Sequence, residues 1–123
     1  MYIAKNITLR ELECRCGCAT PPQVLAHLVT LATFLQRVRD LYNKPIIINS
    51  GYRCTSHNTK VGGAPRSYHL LGIAADIYIK GISTQELFST LHESMKNGYI
   101  PSGGIKNYGS FVHYDYRGYI TKF

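Results

Sequence analysis

His69 stands just ahead of an apolar run, Ile73 to Ile79, in which Asp76 is the one charged residue, and His113 lies further on in "FVHYDYR", Phe111 to Arg117. A carboxylate at the edge of a core is costly unless it is hydrogen-bonded, paired or bound to a metal. Asp76 therefore needs a partner: loop amides, an arginine or a cation. Seven positions separate His69 from Asp76, enough chain for a loop to fold back and set an imidazole beside the carboxylate. Strand alternation in the later segment puts Phe111, His113, Asp115 and Arg117 on one face and Val112, Tyr114 and Tyr116 on the other. Two histidines and a carboxylate that leave a position for water form a common catalytic zinc set, whereas structural sites use four protein ligands, mostly thiolates. Spacing alone does not single out that chemistry, because a histidine and an aspartate with six residues between them also occur in chains that bind no metal. His27, His57 and His92 read as surface or packing residues.

The elements that must position these groups are legible from pattern. Thr8 and Glu11 have capping-box spacing and predict a short helical turn. From Pro22 to Tyr42, Val24, Leu25, Leu28, Leu31, Ala32, Leu35 and Val38 recur at three and four, which predicts an amphipathic helix with Pro22 in its first turn. Ile46 to Ile48 reads as a buried strand closed by Asn49, Ser50 and Gly51. A long irregular segment follows from Gly51 to Gly72, and loops of that length in compact domains are usually functional. "IAADIYI" is a second strand. Ser83 and Glu86 cap a second helix reaching about Asn97, with Leu87, Phe88, Leu91 and Met95 inward and Gly98 as its stop. The glycine-punctuated, aromatic tail predicts one or two hairpins. The order helix, strand, loop, strand, helix, strands suits an α+β fold with helices packed on a small, mainly antiparallel sheet.

At 123 residues without a polar linker, one domain over 1–123 is expected. The net charge of +7 is spread along the chain and favours a polyanionic partner: nucleic acid, anionic lipid headgroups or bacterial wall polymer. No run of eighteen apolar residues argues for membrane insertion, and "MYIAKNITLREL" lacks a signal-peptide layout. Synthesis in a reducing compartment is the corresponding expectation. It leans Cys14, Cys16, Cys18 and Cys54 towards thiols or a metal. The readings of these four stay open: a structural metal site made from some of them, or packed thiols or one disulfide from the triplet to Cys54.

"SYHLLGIAAD", Ser67 to Asp76, resembles the S-x-H-x-x-G-x-A-x-D motif of the zinc peptidases that cut bacterial peptidoglycan, the D-alanyl-D-alanine carboxypeptidase family (peptidase family M15). "INSGYRC" from Ile48 and "FVHYD" from Phe111 resemble its other two signatures in the expected order, and the likeness spans about Leu9 to Gly118. The resemblance implies a hedgehog/DD-peptidase-like fold with His69, Asp76 and His113 as ligands of Zn2+. It implies that Arg53 steers the substrate near the metal, with Ser67 as a hydrogen-bonding partner in the cleft. Arg53 also reads as a loop arginine in a surface ion pair, and Ser67 as a turn or cap residue. It further implies a monomeric peptidase acting on peptidoglycan stem peptides, of carboxypeptidase or endopeptidase type, that binds no nucleic acid. Without a leader, a phage-type endolysin or virion-associated enzyme working at the wall is the matching expectation.

The sequence departs from the family at the general base. Many members carry a Glu or Asp three residues before the last ligand, or a His two before it, where this chain has Ser110 and Phe111. Asp115 is the nearest carboxylate by sequence. It reads equally as the catalytic base and as a group that orients His113 through its free ring nitrogen. The rival from another class is a zinc-containing binding module on the same fold without turnover. A basic nucleic-acid-binding domain is a third, resting on charge and tyrosines alone.

Overall fold

The computed structural model describes residues 1–123. Strands β1 (Tyr2–Ala4) and β2 (Ile7–Thr8) form a small antiparallel ribbon that leads into the short helix α1 (Leu9–Leu12). The capping box holds: the Thr8 N–H donates to Glu11 Oε1 at 2.9 Å. The ribbon was not expected from the sequence, since two strands this short carry too few alternating positions to register as a pattern.

Helix α2 (Pro22–Tyr42) has the bounds its periodicity predicts. Val24, Leu28, Leu31, Ala32, Leu35 and Val38 are buried, but Leu25 is 38% exposed and does not belong to the core face. After β3 (Ile47–Ser50), the segment expected to be irregular contains helix α3 (Thr55–Lys60) and a 3-10 turn, Tyr68–Leu71. Both are too short for helical periodicity to show. Gly72 closes the turn at φ +79, a left-handed conformation that favours glycine. A Cβ there would also press to 2.8 Å of Val24 Cγ1.

Strand β4 (Ala74–Tyr78), helix α4 (Thr84–Lys96) and the hairpin β5 (Gly104–Asn107) to β6 (Val112–Asp115) follow, then β7 (Thr121–Lys122). Ser83 Oγ accepts the Glu86 N–H at 3.1 Å and so caps α4, while Phe88 is only partly buried. The main sheet runs β3-β4-β6-β5-β7, antiparallel except for the β5–β7 pair. The fold is therefore α+β as expected, with one hairpin in the tail and a parallel edge strand rather than a second hairpin.

Alternation divides the sheet by face. Ala75, Ile77 and Ile79 of the β4 segment, with Ile105, Val112 and Tyr114, join the buried residues of α2 and α4 in the core. Asp76 and His113 point the other way, and antiparallel register sets them directly opposite each other on β4 and β6. Pairing of these two strands thus brings together two residues that lie 37 positions apart.

Candidate metal centre

His69 reaches the same point from the 3-10 turn. Its Nε2 and the Nδ1 of His113 each lie 3.1 Å from Asp76 Oδ1. All three side chains are buried, and the three ligand atoms lie within 4.8 Å of one another.

Hydrogen bonds on the far side of each ring set the tautomers. The Gly51 carbonyl can only accept, so His69 Nδ1–H donates to it at 2.7 Å and Nε2 is left facing Asp76. His113 Nε2–H donates to Asp115 Oδ2 at 2.8 Å, which turns Nδ1 towards Asp76. Two imidazole nitrogens and a carboxylate oxygen thus converge on one point, an arrangement of lone pairs that only protons or a cation can reconcile. The donor types and the outer hydrogen bonds fit a zinc-class ion.

Charge confirms how tightly the groups are coupled. Where protons stand in place of a cation, burial pushes the Asp76 carboxyl up, but hydrogen bonds from His113 and His69 outweigh it and hold the group well below the usual carboxylate range. Burial likewise pushes the His113 imidazole down, and its bonds to Asp115 and Asp76 reverse that and raise it.

Arg53 lies against the same cluster. Its Nε donates to Ser50 Oγ at 3.1 Å, Nη1 to Asn58 Oδ1 at 3.1 Å and Nη2 to Asp76 Oδ2 at 3.2 Å. Of the five N–H donors of a guanidinium, three are used here, which leaves one on each terminal nitrogen. Asn58, placed by sequence in a loop, sits buried on α3 and holds Arg53 in position.

Asp115 is fully buried, and both its oxygens are taken. Oδ1 accepts from the N–H of Gly104, the N–H of Arg117 and Arg117 Nε, and Oδ2 from Arg117 Nη2 at 2.7 Å as well as from His113. Burial raises its carboxyl, but Arg117 and His113 outweigh that and hold it far below the usual range. Ser67 caps the 3-10 turn, its Oγ accepting the His69 N–H at 3.2 Å.

His69, Asp76 and His113 floor a cleft of about 440 Å³ whose lining includes Arg53, Arg66, Ser67, Tyr68, Tyr108 and Phe111. Arg117 and Phe123 also line it. Reasoning from sequence left both without a role, although the i, i+2 spacing of Asp115 and Arg117 was a signal for the former. Tyr52 and Tyr114 are core residues. Tyr116 packs edge-on against Phe34.

A sheet face that presents Asp76 and His113 to a cleft, joined by His69 from the 3-10 turn and with each ring held from behind, fits a mononuclear metal centre. Residues 3–115 match the family model described as Peptidase M15, and the chain belongs to that family. The zinc D-Ala-D-Ala carboxypeptidase of Streptomyces albus G is 35% identical over 79 residues, which cover 58% of this chain and 31% of that protein. The chain thus spans about a third of the length of the curated relative it matches.

Proposed function

We propose that this chain is a zinc-dependent peptidase that hydrolyses an amide bond in the peptide stems of bacterial peptidoglycan. The observation that carries the reading is the convergence of His69 Nε2, Asp76 Oδ1 and His113 Nδ1 at the floor of an arginine-lined cleft. A zinc ion held there would supply Lewis-acid polarisation of the scissile carbonyl and a lowered pKa for water. The protein's own groups do the rest. Asp115 and the Gly51 carbonyl fix the two imidazoles in their ligating tautomers, and Arg53 neutralises the second oxygen of Asp76. Its two remaining N–H groups meet a substrate carboxylate or the developing oxyanion. Arg66, which pairs with no carboxylate, gives the cleft a free positive charge, which suits stem peptides with free carboxylates. Ser67 acts as the cap of the turn that carries His69.

Asp115 acts as the positioning residue for His113 in this scheme and not as the base, because five hydrogen bonds already engage its buried oxygens. No other carboxylate or imidazole outside the ligand set lines the cleft. That observation favours a second reading, a metal-holding domain that binds stem peptides without cleaving them.

Purified peptidoglycan incubated with untreated, chelated and re-zincated protein, with products read by mass spectrometry, separates the two. Zinc-restored cleavage that is absent in His113→Ala supports the peptidase and identifies its bond. Binding without products from folded, metal-loaded protein overturns it in favour of the binding domain. Metal-independent affinity for DNA or RNA, steeply dependent on salt, would overturn both.

A further inference from the structure

A second group of potential ligands lies away from the cleft floor. The Sγ atoms of Cys14, Cys16, Cys18 and Cys54 all fall within 4.8 Å of one another, and all four cysteines are free thiols. The separations are 3.3 Å for Cys14–Cys16, 3.6 Å for Cys16–Cys54 and 3.8 Å for Cys14–Cys54. A tetrahedral ion with metal–sulfur bonds of about 2.3 Å sets its ligands about 3.8 Å apart. Cys14, Cys16 and Cys54 are therefore spaced close to the edges of such a tetrahedron, with Cys18 Sγ within 4.8 Å of each of them.

The backbone is built to hold them so. In a plain strand Cys14, Cys16 and Cys18 would string out along one face, each about 6–7 Å from the next. Gly17 at φ +81 breaks that course, and its N–H donates to the Cys14 carbonyl at 3.1 Å, so the chain curls and Cys18 returns beside the others. Arg15 pins the curl from outside by donating to the carbonyls of Glu11 at 2.8 Å and Ile48 at 2.9 Å. Two backbone N–H groups point at sulfur: that of Cys54 at Cys14 and that of His57 at Cys54, each at 3.4 Å. Donors aimed at a sulfur favour its anionic, ligating form.

We propose that Cys14, Cys16, Cys18 and Cys54 form a second, structural site for a zinc-class divalent ion bound by four thiolates. Four protein ligands of this kind leave no open position for water, so the site stabilises and does not catalyse. Loading it releases the four thiol protons to solvent, with no change of oxidation state. Its place in the fold gives it a purpose. Cys54 follows Arg53 directly and caps α3, whose Asn58 holds Arg53 Nη1. The same segment begins at Gly51, whose carbonyl orients His69, and the Tyr52 N–H donates to the Leu12 carbonyl at 2.8 Å. An ion at the cysteines would staple the N-terminal loop to this segment and keep Arg53 and the His69 support in register. The inference is independent of whether the cleft turns over a peptide.

The test is metal content and spectroscopy of the full chain purified under reducing conditions. Wild-type protein is expected to hold one more equivalent of zinc than Cys16→Ser or Cys18→Ser, and His113→Ala is expected to lose the other equivalent while keeping this one. Cobalt-exchanged wild-type and His113→Ala proteins should show strong sulfur-to-cobalt charge-transfer absorption that the cysteine variants lack. Should the variants fold poorly, the wild-type spectrum and a thiol-dye titration decide alone: four thiols protected until a chelator is added support the site. Four thiols that react at once without chelator, or a mass two or four hydrogens short that marks disulfides, overturn it.

Discussion

Asp115 touches His113 on one side and Arg117 on the other, and its role can be separated by measuring two quantities rather than one. As a positioning residue, Asp115→Asn should weaken zinc affinity about 10–100-fold in competition with a chromogenic chelator, with activity falling in parallel. A base would give the opposite split, with metal affinity intact and kcat lost. Arg53→Lys should leave metal content unchanged, since Arg53 is not a ligand, yet reduce kcat roughly 100-fold because an ammonium cannot reproduce the fork that spans Ser50, Asn58, Asp76 and a substrate oxygen. The two depressed or raised groups also predict opposite pH effects in the metal-free protein. Asp115, depressed in the fold, contributes stability that is complete above the unfolded value of about 3.9 and is lost as pH falls through the folded value. His113, raised in the fold, contributes stability that is complete below about 6.5 and is lost as pH rises through its elevated value. Urea midpoints of chelated protein across pH should therefore decline in both directions, and Asp115→Asn should flatten the acid side.

At the scale of elements, the junction between β3 and α3 is where the N-terminal segment and the cleft meet. A Cβ on Gly51 would lie 2.5 Å from the Leu12 carbonyl oxygen and 2.8 Å from Leu12 Cα, both backbone atoms that cannot rotate aside. Gly51→Ala should thus separate α1 from β3 and cost about 1–3 kcal/mol in chemical denaturation, with weakened metal binding because the carbonyl behind His69 moves. The long elements were legible because each carries several turns of a repeating pattern: in α2 seven apolar positions recur at three and four, and six of those are buried. Helix α3 and the 3-10 turn were not legible, since elements this short are set by their caps and neighbours rather than by periodicity. Their caps are the side chains of Cys54, which reads in the sequence only as a thiol or metal ligand, and of Ser67, for which a turn or cap role is one of its two readings.

Over the whole molecule, the charge of +7 acts at longer range than any single contact. Hydrolysis of intact, anionic walls should fall as salt rises from low to physiological strength, whereas cleavage of a small soluble stem peptide should change little, because screening removes attraction to the polymer and leaves the cleft's own contacts. Parallel rates on the two substrates check this. No helix of the protein is long and apolar enough to cross a membrane.

The site itself divides along the same line. Residue types and their order made the α+β class legible and, through the motifs that resemble a known family, pointed to His69, Asp76 and His113 as candidate ligands and to Arg53 beside them, because short motifs and a β-branched strand are local facts of the chain. Only tertiary structure decided what the groups around them do. Register between β4 and β6 sets Asp76 opposite His113, while the folding of Arg117 and Gly104 onto Asp115 turned an available carboxylate into a committed one. The curl at Gly17 gathered four thiols that the sequence spaces over 40 residues. The β4–β6 register, the closing of Gly104 onto Asp115 and the arrival of Cys54 beside the triplet depend on contacts between segments distant along the chain, which no local pattern encodes.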